Sequence, residues 1–295
     1  MENAEKIKIG IVGLGPVGLI LAVKLKEAGC EVAICDKDDF KLKKIRADGV
    51  ILEHTINSTT YFDNVYDSVS DLRHLDLDYL IFSLKSYQTV GAIKEAELLN
   101  TEKIIFISAQ NGIDTEQIIS ATFGESKTLR LITNYAGNMA SPNTARVSFF
   151  NPPNYIGSID DTRTQEAQRF ADVLDAINFP TTCIDSFELS KRIWEKTILN
   201  ASLSALCGVG RLTMAEAMAD EDTVELIEQI INEGIDVAEK EKIRFPDDFV
   251  RKCLQYLKKG GDHFPSLAVD LINNRETEID YFNGKIVEYG KNIMY

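Results

Sequence analysis

Six residues that include three glycines lie between two apolar segments near the start of the chain. They read Gly13-Leu14-Gly15-Pro16-Val17-Gly18. The preceding segment, Ile7–Val12, predicts a buried strand, and the following segment, Leu19–Ala28, predicts a helix that stops before Gly29. Glycines at this spacing permit a tight turn, close approach of the backbone to a ligand, and close packing of helix on strand. The chain is therefore constrained to begin with a strand, a glycine-rich turn and a helix, the arrangement that binds a dinucleotide.

An acidic residue follows at the distance that this arrangement needs. Val32–Cys35 predicts the second strand, and Asp36 stands at its end, 18 residues after Gly18. A carboxylate there can accept a hydrogen bond from the 2′-hydroxyl of an adenosine ribose, whereas it would repel a 2′-phosphate. Asp36 therefore favours NAD over NADP, although the adjacent Lys37 is expected to reduce that repulsion. Asp36 and the six residues of the glycine-rich turn are the predicted cofactor contacts of this half of the chain.

Strands continue to alternate with other segments up to about residue 185. The further predicted strands are Tyr79–Leu84, Lys103–Ser108, Leu129–Thr133 and the weaker Thr181–Asp185. Such alternation predicts a mainly parallel sheet with both faces covered. The helical stretches predicted after it are Glu188–Leu206, Thr223–Glu239, Asp247–Lys258 and Ser266–Glu288. The predicted fold class is α/β, with a Rossmann-type dinucleotide-binding domain at 1–185 followed by an all-helical substrate and catalytic domain at 186–295.

Charge and composition exclude several classes of function. The 295 residues carry 46 Asp plus Glu against 32 Lys plus Arg, a net charge of −14, which argues against binding nucleic acid. The longest uncharged run, Ile9–Val23, is shorter than the roughly 18 to 20 residues of a membrane span, and the polar, acidic N-terminus does not resemble a signal peptide. Five cysteines without a CxxC pair and three scattered histidines predict reduced thiols, no metal site and a cytoplasmic protein.

One face of a predicted helix carries candidate polar residues. Lys196, Asn200 and Ser204 follow one another at intervals of four residues, which places them on one side of a helix. A lysine on a largely apolar helix can have a lowered pKa and act as a general acid. From spacing alone, a lysine that extends its ammonium to solvent is the commoner case.

A second group lies in the predicted helix Ser266–Glu288. It consists of Ser266, Asp270, Arg275 and Glu278. The interval from Ser266 to Glu278 would return a helix to nearly the same face. The alternative is a solvated helix covered with charges.

Separated motifs in a fixed order give the chain a family resemblance. They are the glycine-rich turn, Leu84-Lys85-Ser86-Tyr87-Gln88-Thr89, Gln110-Asn111-Gly112, Trp194-Glu195-Lys196 with Asn200, and Ser266 with Asp270 and the run from Arg275 to Gly284. Over almost its whole length the chain resembles the ketopantoate reductase (2-dehydropantoate 2-reductase) family.

The resemblance implies reduction of a small anionic 2-oxo acid to a D-2-hydroxy acid with NADPH or NADH. It implies 2-dehydropantoate as substrate, pantoate as product, and a place in pantothenate biosynthesis. Lys196 would be the general acid that protonates the carbonyl oxygen, and Glu278 would lie beside it and also contact the cofactor. The implied substrate contacts are Asn111, Asn200, Ser204 and Ser266. The implied contacts near the nicotinamide ribose are Lys85 and Asn111.

Departures from the family pattern keep other functions open. The family often has a second asparagine where this chain has Ser204, and members that use NADPH usually have a basic or neutral residue at the position of Asp36. Both departures favour a D-mandelate-type dehydrogenase that uses NAD and acts on branched or aromatic 2-oxo acids. A nucleotide-binding regulator without turnover is a third reading, but it would not need Lys196 and Glu278 together. The apolar helical stripes are compatible with a homodimer, and we expect neither a nucleic acid nor a membrane as partner.

Overall fold

The computed structural model describes residues 6–99 and 102–293, which form two compact units. The first unit contains the described residues up to Gln110 together with Asp114–Leu189. The second contains Asn111–Ile113 and the described residues from Ser190 onward. The start of the chain, from which we predict that no signal peptide is present, lies partly outside the described residues. The division of function at residue 185 stays a prediction.

The first unit contains the strands and the first five helices. Its described strands are β1 (Lys8–Val12), β2 (Glu31–Cys35), β3 (Val50–His54), β4 (Ser58–Thr60), β5 (Asn64–Tyr66), β6 (Tyr79–Phe82), β7 (Ile105–Ser108), β8 (Thr128–Ile132), β9 (Tyr135–Ser141), β10 (Thr144–Phe150), β11 (Asn154–Ser158) and β12 (Thr181–Cys183). Its described helices are α1 (Pro16–Glu27), α2 (Asp39–Asp48), α3 (Thr89–Ala96), α4 (Thr115–Phe123) and α5 (Thr164–Asp175). The six strands predicted from the sequence are all present, with ends that differ by one or two residues.

Eight of these described strands form one sheet in the order β12-β11-β8-β7-β6-β1-β2-β5. Every neighbouring pair is parallel except β8 and β11, so the prediction of a mainly parallel sheet is confirmed. The chain passes from β1 to β2 on one side and later reaches β6 on the other side. In open α/β sheets, ligands bind at the carboxyl ends of the strands where the strand order reverses in this way. The glycine-rich turn follows β1 at that point.

Side chains of the central strands alternate between two apolar cores. Tyr79 and Ile81 of β6 belong to one core, whereas Leu80 and Phe82 belong to the other. Helices α1 and α5 contribute to the first core, and α3 and α4 to the second. The period of two thus buries both faces of the sheet, and the prediction that both are covered is confirmed.

A second sheet was not predicted from the sequence. Among the described residues its strand order is β4-β3-β10-β9, and β3 pairs parallel with β10. This register joins Ile51 to Thr144, which is distant in the chain, so a local sequence window contains no sign of it. Its buried side chains, which include Leu52 and Val147, complete the core on the α1 face of the main sheet.

The second unit is helical in its described part. It contains α6 (Ser186–Gly210) from Ser190 onward, α7 (Met214–Ala219), α8 (Glu221–Lys240), α9 (Phe249–Lys258), α10 (Ser266–Ile272) and α11 (Asn283–Ile293). The predicted all-helical second half, and with it the α/β fold class, is confirmed. Every described helix of this unit is shorter than, or less apolar than, a membrane-crossing segment.

The prediction of one helix over Ser266–Glu288 is wrong. Helix α10 ends at Ile272, and Asn274 adopts a left-handed backbone conformation with φ 52°. The Asn273 side-chain amide donates to the Val269 carbonyl (2.7 Å), and the Arg275 backbone N–H donates to the Asp270 carbonyl (2.9 Å). These contacts occupy carbonyls that a continuing helix would use, and asparagine tolerates the left-handed conformation better than most residues. Glu278 therefore lies outside the helix that carries Ser266.

The five cysteines all lie in the described residues, and all are free thiols. Cys183 is half-buried, and the other four are buried. Burial raises the pKa of Cys30 to about 11 and that of Cys35 to about 12. The reduced state of these thiols in the cell stays a prediction.

Candidate active site

The glycine-rich turn brings the end of β1 against the segment that follows β6. Gly13 has φ 94°, and its N–H donates to the Cys35 carbonyl at the end of β2 (2.9 Å). A Cβ on Gly13 would lie 2.5 Å from the backbone nitrogen of Leu84. Glycine is needed here both for the left-handed backbone and for the close approach.

Helix α1 starts directly in this turn. Gly15 is the N-cap and Pro16 the first helical residue, a position suited to proline because its nitrogen needs no hydrogen bond there. No side chain of the described residues caps this helix, and no described atom lies within 4 Å of a Cβ built on Gly15. The turn therefore presents free space beside the N–H groups of a helix N-terminus, which suits a phosphate. Helix α1 begins three residues earlier than the predicted Leu19, since the proline and glycine that suggested a turn form its first residues.

Gly18 packs α1 against the turn. A Cβ on Gly18 would overlap the Gly13 carbonyl oxygen and would lie 2.6 Å from Ser83 Oγ. That hydroxyl donates to the Gly13 carbonyl (2.8 Å). Gly13, Gly15 and Gly18 thus have the turn, access and packing geometry that a pyrophosphate-binding loop needs.

Asp36 is held against the same turn. Its Oδ2 accepts the backbone N–H of Leu14 (2.7 Å) and the Lys41 ammonium (2.8 Å), and its Oδ1 accepts the Asp38 N–H (3.0 Å). The Asp36 and Lys41 side chains are each 15% exposed. Lys37, which we expected to moderate the charge of Asp36, instead pairs with Glu95 (2.7 Å) and is 70% exposed. The sequence did not indicate Lys41, because its approach to Asp36 depends on the turn into α2.

The segments after β6 and β7 meet at the same sheet edge. Lys85 is half-buried and directly precedes a short 3-10 turn at 86–88. The Gln110 side-chain amide donates to the Leu84 carbonyl (3.0 Å) and to Thr89 Oγ1 (2.6 Å). These two hydrogen bonds hold the segment that carries Lys85 against Gln110, the residue that directly precedes Asn111. The sequence indicates no role for Gln110 beyond its place in the motif Gln110-Asn111-Gly112.

A buried ion pair joins the elements that follow β7. Arg130 of β8 lies 3.3 Å from the Glu116 carboxylate of α4, and their side chains are 3% and 7% exposed. Arg130 also donates to Ser108 Oγ at the end of β7 (2.8 Å) and to the Thr115 hydroxyl. Burial raises the pKa of Glu116, and the Arg130 charge opposes that rise. The sequence signal that could have indicated this cluster is a cation among the apolar residues of β8, between Leu129 and Leu131.

In the second unit, the Asn111 segment lies against the turn that follows Glu278. The Ile113 N–H donates to the Tyr281 carbonyl (3.1 Å). Gly112 has φ 98°, and a Cβ on it would lie 2.7 Å from the same carbonyl oxygen. Glu278, three residues before Tyr281, is 5% exposed. The structure therefore brings two separated predicted segments, around Asn111 and Glu278, to one place.

Helix α6 presents the second group of predicted residues. It runs without a break from Ser186 to Gly210, so Lys196, Asn200 and Ser204 occupy one of its faces. Lys196 and Asn200 are half-buried, and Ser204 is buried. The Asn283 side-chain amide donates to the Ala201 carbonyl (3.1 Å) and ties the Glu278 turn to this helix beside Asn200.

Ser266 is exposed at the first turn of α10. Helix α10 packs on the end of α6, where a Cβ on Gly208 would lie 3.1 Å from a methyl of Leu271. Asp270 is buried and accepts from Arg275 Nε (2.9 Å), which fixes the bend after α10. Contrary to the prediction, Ser266 and Glu278 do not share a helical face: α10 ends at Ile272, and the 12-residue step between them would in any case leave them about a third of a turn apart on a continuous helix.

The described residues contain no cluster of three His, Cys, Asp or Glu side chains that could hold a metal ion.

Comparison with known proteins identifies the family. The sequence model of ketopantoate reductase PanE/ApbA matches residues 9–161, and that of the ketopantoate reductase PanE/ApbA C-terminal region matches residues 188–294. A 2-dehydropantoate 2-reductase from Aquifex aeolicus (strain VF5) is 25% identical over 291 residues, which cover 97% of this chain and 91% of that protein.

Solved structures show the same fold. A PanE/ApbA family ketopantoate reductase from Ralstonia eutropha JMP134 has a TM-score of 0.87 at 23% identity, covering 97% of this chain and 92% of that chain. D-mandelate dehydrogenase with NADH and anilino(oxo)acetate has a TM-score of 0.85 at 24% identity, with the same coverage of both chains. The predicted family and the predicted class of NAD(P)-dependent oxidoreductase acting on CH–OH groups are confirmed at this level. The chain belongs to the ketopantoate reductase family.

Proposed function

We propose that this protein reduces 2-dehydropantoate to pantoate with NAD(P)H, as a step of pantothenate biosynthesis. The observation that carries the proposal is the convergence within the second unit. The Asn111 segment binds the Tyr281 carbonyl, and Asn283 of the same turn binds the α6 backbone at Ala201. Groups assigned to cofactor, substrate and proton transfer thus share one small framework.

The cofactor half of the proposal rests on the turn after β1. The space over Gly15, the uncapped start of α1 within the described residues, and the Asp36 carboxylate fit the pyrophosphate and ribose of a dinucleotide. When bound, the nicotinamide supplies the hydride. Lys85 and Asn111 are proposed to lie near its ribose, and Glu278 is proposed to contact the cofactor.

The chemical half rests on Lys196. As hydride reaches the carbonyl carbon of the 2-oxo acid, negative charge develops on the oxygen, and the Lys196 ammonium donates a proton to it. Solvent then returns a proton to the amine. We propose that Glu278 orients this ammonium, and that Asn200, Ser204 and Ser266 hold the polar groups of the substrate together with Asn111. Each role follows from family resemblance and is compatible with the exposure of the residue.

A second candidate substrate class is favoured by Ser204. This side chain is 5% exposed within α6 and is shorter than an asparagine, so the site offers one hydroxyl in place of an amide. A pocket that loses a polar anchor discriminates less strongly in favour of a hydroxylated substrate. The alternative function is NAD-dependent reduction of branched or aromatic 2-oxo acids, as in a D-mandelate-type dehydrogenase.

A substrate panel separates the two. Steady-state rates are measured for 2-dehydropantoate, phenylglyoxylate and 2-oxoisocaproate, each with NADH and with NADPH. We expect kcat/KM for 2-dehydropantoate to exceed the others by more than tenfold, about 1.4 kcal/mol of transition-state discrimination. A preference of that size for phenylglyoxylate would establish the alternative, and no turnover with any substrate would refute both.

The proton donor is tested on the same assay. Lys196→Ala should lower kcat about 10²-fold or more while the dissociation constant for the cofactor stays within a factor of three. Lys191→Ala, on another face of the same helix, is the matched control and should retain the wild-type rate. An unchanged rate in Lys196→Ala would show that Lys196 is not the general acid. The homodimer and the cytoplasmic location remain predictions.

A further inference from the structure

Most hydrogen-bond acceptor positions of the Asp36 carboxylate are occupied by the protein's own donors. A carboxylate has about four acceptor positions, and hydrogen bonds from Leu14, Lys41 and Asp38 occupy three of them. The remaining position suits one ribose hydroxyl. Because the ammonium lies 2.8 Å away, the pair has no net charge towards an incoming ligand.

Lys41 has donors to spare. An ammonium carries three N–H groups, and the contact with Asp36 uses one of them. The stretch 36–44 contains four lysines and three aspartates, so it is locally cationic in a protein whose net charge is −14. Lys41 is also the better-placed lysine, since Lys37 points to Glu95 and is mostly exposed.

We propose that Lys41 selects the cofactor: its ammonium, held by Asp36 beside the glycine-rich turn, receives the 2′-phosphate of NADPH, so the protein uses NADPH as well as NADH. This inference rests on the proposed function, because it concerns the cofactor of that reaction. A lysine binds phosphate as a compact point charge, and charge-assisted hydrogen bonds to phosphate are among the stronger ones in proteins. The ribose of NADH has a neutral 2′-hydroxyl at this position, so it gains no charge-assisted hydrogen bond from Lys41.

Substitution of Asp36 is a less specific test of the selectivity between NADH and NADPH, although Asp36 is the residue at the motif position. Its carboxylate also accepts the Leu14 N–H, so it holds the turn that contacts the pyrophosphate. Replacement of Asp36 therefore disturbs a part of the site that both cofactors share. Asp36→Ala should weaken NADH and NADPH alike, whereas a change at Lys41 should separate them.

The test measures binding rather than turnover. Dissociation constants for NADPH and NADH are obtained from the fluorescence of the bound nicotinamide. Calorimetry with adenosine 2′,5′-bisphosphate and with 5′-AMP measures the contribution of the 2′-phosphate to binding, because the two ligands differ only in that group. The variants are Lys41→Met, which keeps the aliphatic length without the charge, Lys41→Arg, which keeps the charge, and Lys37→Met as the matched control.

We expect Lys41→Met to weaken NADPH and adenosine 2′,5′-bisphosphate about tenfold or more, with NADH and 5′-AMP changed by less than threefold. Lys41→Arg should restore most of the NADPH affinity, and Lys37→Met should resemble the wild type. Raising the salt concentration should reduce the wild-type advantage for the bisphosphate, because a partly exposed charge pair is screened.

Two results would overturn the inference. Equal weakening of both cofactors in Lys41→Met would assign Lys41 to holding Asp36 and the turn. Unchanged NADPH affinity would place the 2′-phosphate elsewhere. Circular dichroism of each variant guards against misfolding, and Lys41→Arg keeps the test decisive if Lys41→Met is unstable.

The proposed function can fail separately. If the wild type binds both cofactors and Lys41→Met shows the shift, but no 2-oxo acid is reduced, the substrate assignment is wrong and the role of Lys41 stands. If the wild type binds neither NADH nor NADPH, both are wrong.

Discussion

Gly15 and Gly18 belong to one motif, yet the structure predicts different consequences when each is replaced by alanine. A Cβ on Gly18 would overlap the Gly13 carbonyl oxygen and lie 2.6 Å from Ser83 Oγ. A Cβ on Gly15 would meet no described atom within 4 Å, and φ at Gly15 is −72°, which alanine adopts readily. Gly18→Ala should therefore damage the fold, and Gly15→Ala only the binding of a ligand.

The magnitudes follow from the surroundings. An alanine in a helix is normally favoured over glycine by about 0.5–1 kcal/mol. At Gly18 this gain is outweighed by overpacking against backbone, which typically costs about 1–3 kcal/mol, and the bond from Ser83 to Gly13 is disturbed as well. Gly91, exposed in α3 with no described atom within 4 Å of an added Cβ, is the matched control.

The assay combines urea unfolding, followed by circular dichroism, with titration of NADH and NADPH. Gly18→Ala should lose about 1–3 kcal/mol of unfolding free energy and bind both cofactors weakly. Gly15→Ala should stay within about 0.5 kcal/mol of the wild type and bind at least about tenfold more weakly. Gly91→Ala should be slightly stabilised and bind normally. If Gly18→Ala were as stable as Gly91→Ala, the close packing of α1 on the turn would be refuted, and normal binding by Gly15→Ala would refute the assignment of the pyrophosphate to this turn.

Three further predictions follow from buried groups. Arg130→Met should destabilise the fold by about 3–5 kcal/mol at pH 7.5, because it leaves the Glu116 carboxylate buried without its cation. The loss should be smaller at pH 5, since burial already raises the pKa of Glu116 and a proton then removes the buried charge; equal losses at both pH values in urea melts would contradict this. Native protein at pH 8 should react with a thiol reagent first at half-buried Cys183: burial raises its pKa too, but it raises the pKa of the other four thiols to about 11 or 12 and shields them from the reagent, and simultaneous labelling of all five would disprove it. Trp194, 5% exposed and edge-on to Tyr289 with ring centroids 5.3 Å apart, should emit at short wavelength and resist acrylamide quenching until the second unit unfolds.

The elements that could be predicted from the sequence are those with a local signal. Strand β1, the glycine-rich turn and α1 follow one another directly along the chain. The conformation of each can be predicted from its own residues, by apolar periodicity or by glycine spacing. The second sheet had no such signal, because the pairing of β3 with β10 is set by residues far apart in the chain. The sequence does not reveal the end of α10, because the polar run 273–278 also fits the exposed face of a longer helix. Side-chain hydrogen bonds of Asn273 and Asp270 end the helix after Ile272.

The same distinction holds for the candidate site. Lys196, Asn200 and Ser204 could be placed on one face because a helix fixes their spacing. The meeting of the Asn111 segment with Tyr281, which lies much later in the chain, could be expected only from family resemblance. Arg130 was visible as a cation in an apolar strand, but its partners Glu116 and Ser108 belong to other elements.

Cofactor preference shows most clearly why a residue type at a motif position is an incomplete predictor. Asp36 favours a ribose hydroxyl only to the extent that its charge is uncompensated, and compensation depends on which lysine reaches it. In the sequence, Lys37 is adjacent and Lys41 is further along the chain. In the structure, Asp38 caps the start of α2 by accepting the Lys41 N–H (3.0 Å), and the Lys41 side chain contacts Asp36 while Lys37 turns to Glu95. If Asp36 and Lys41 bind the nucleotide as proposed, the Asp38 cap contributes to the charge presented to it by placing Lys41 at the start of α2. A chain with the same Asp36 but a different first turn of α2 should then differ in its preference between NADH and NADPH.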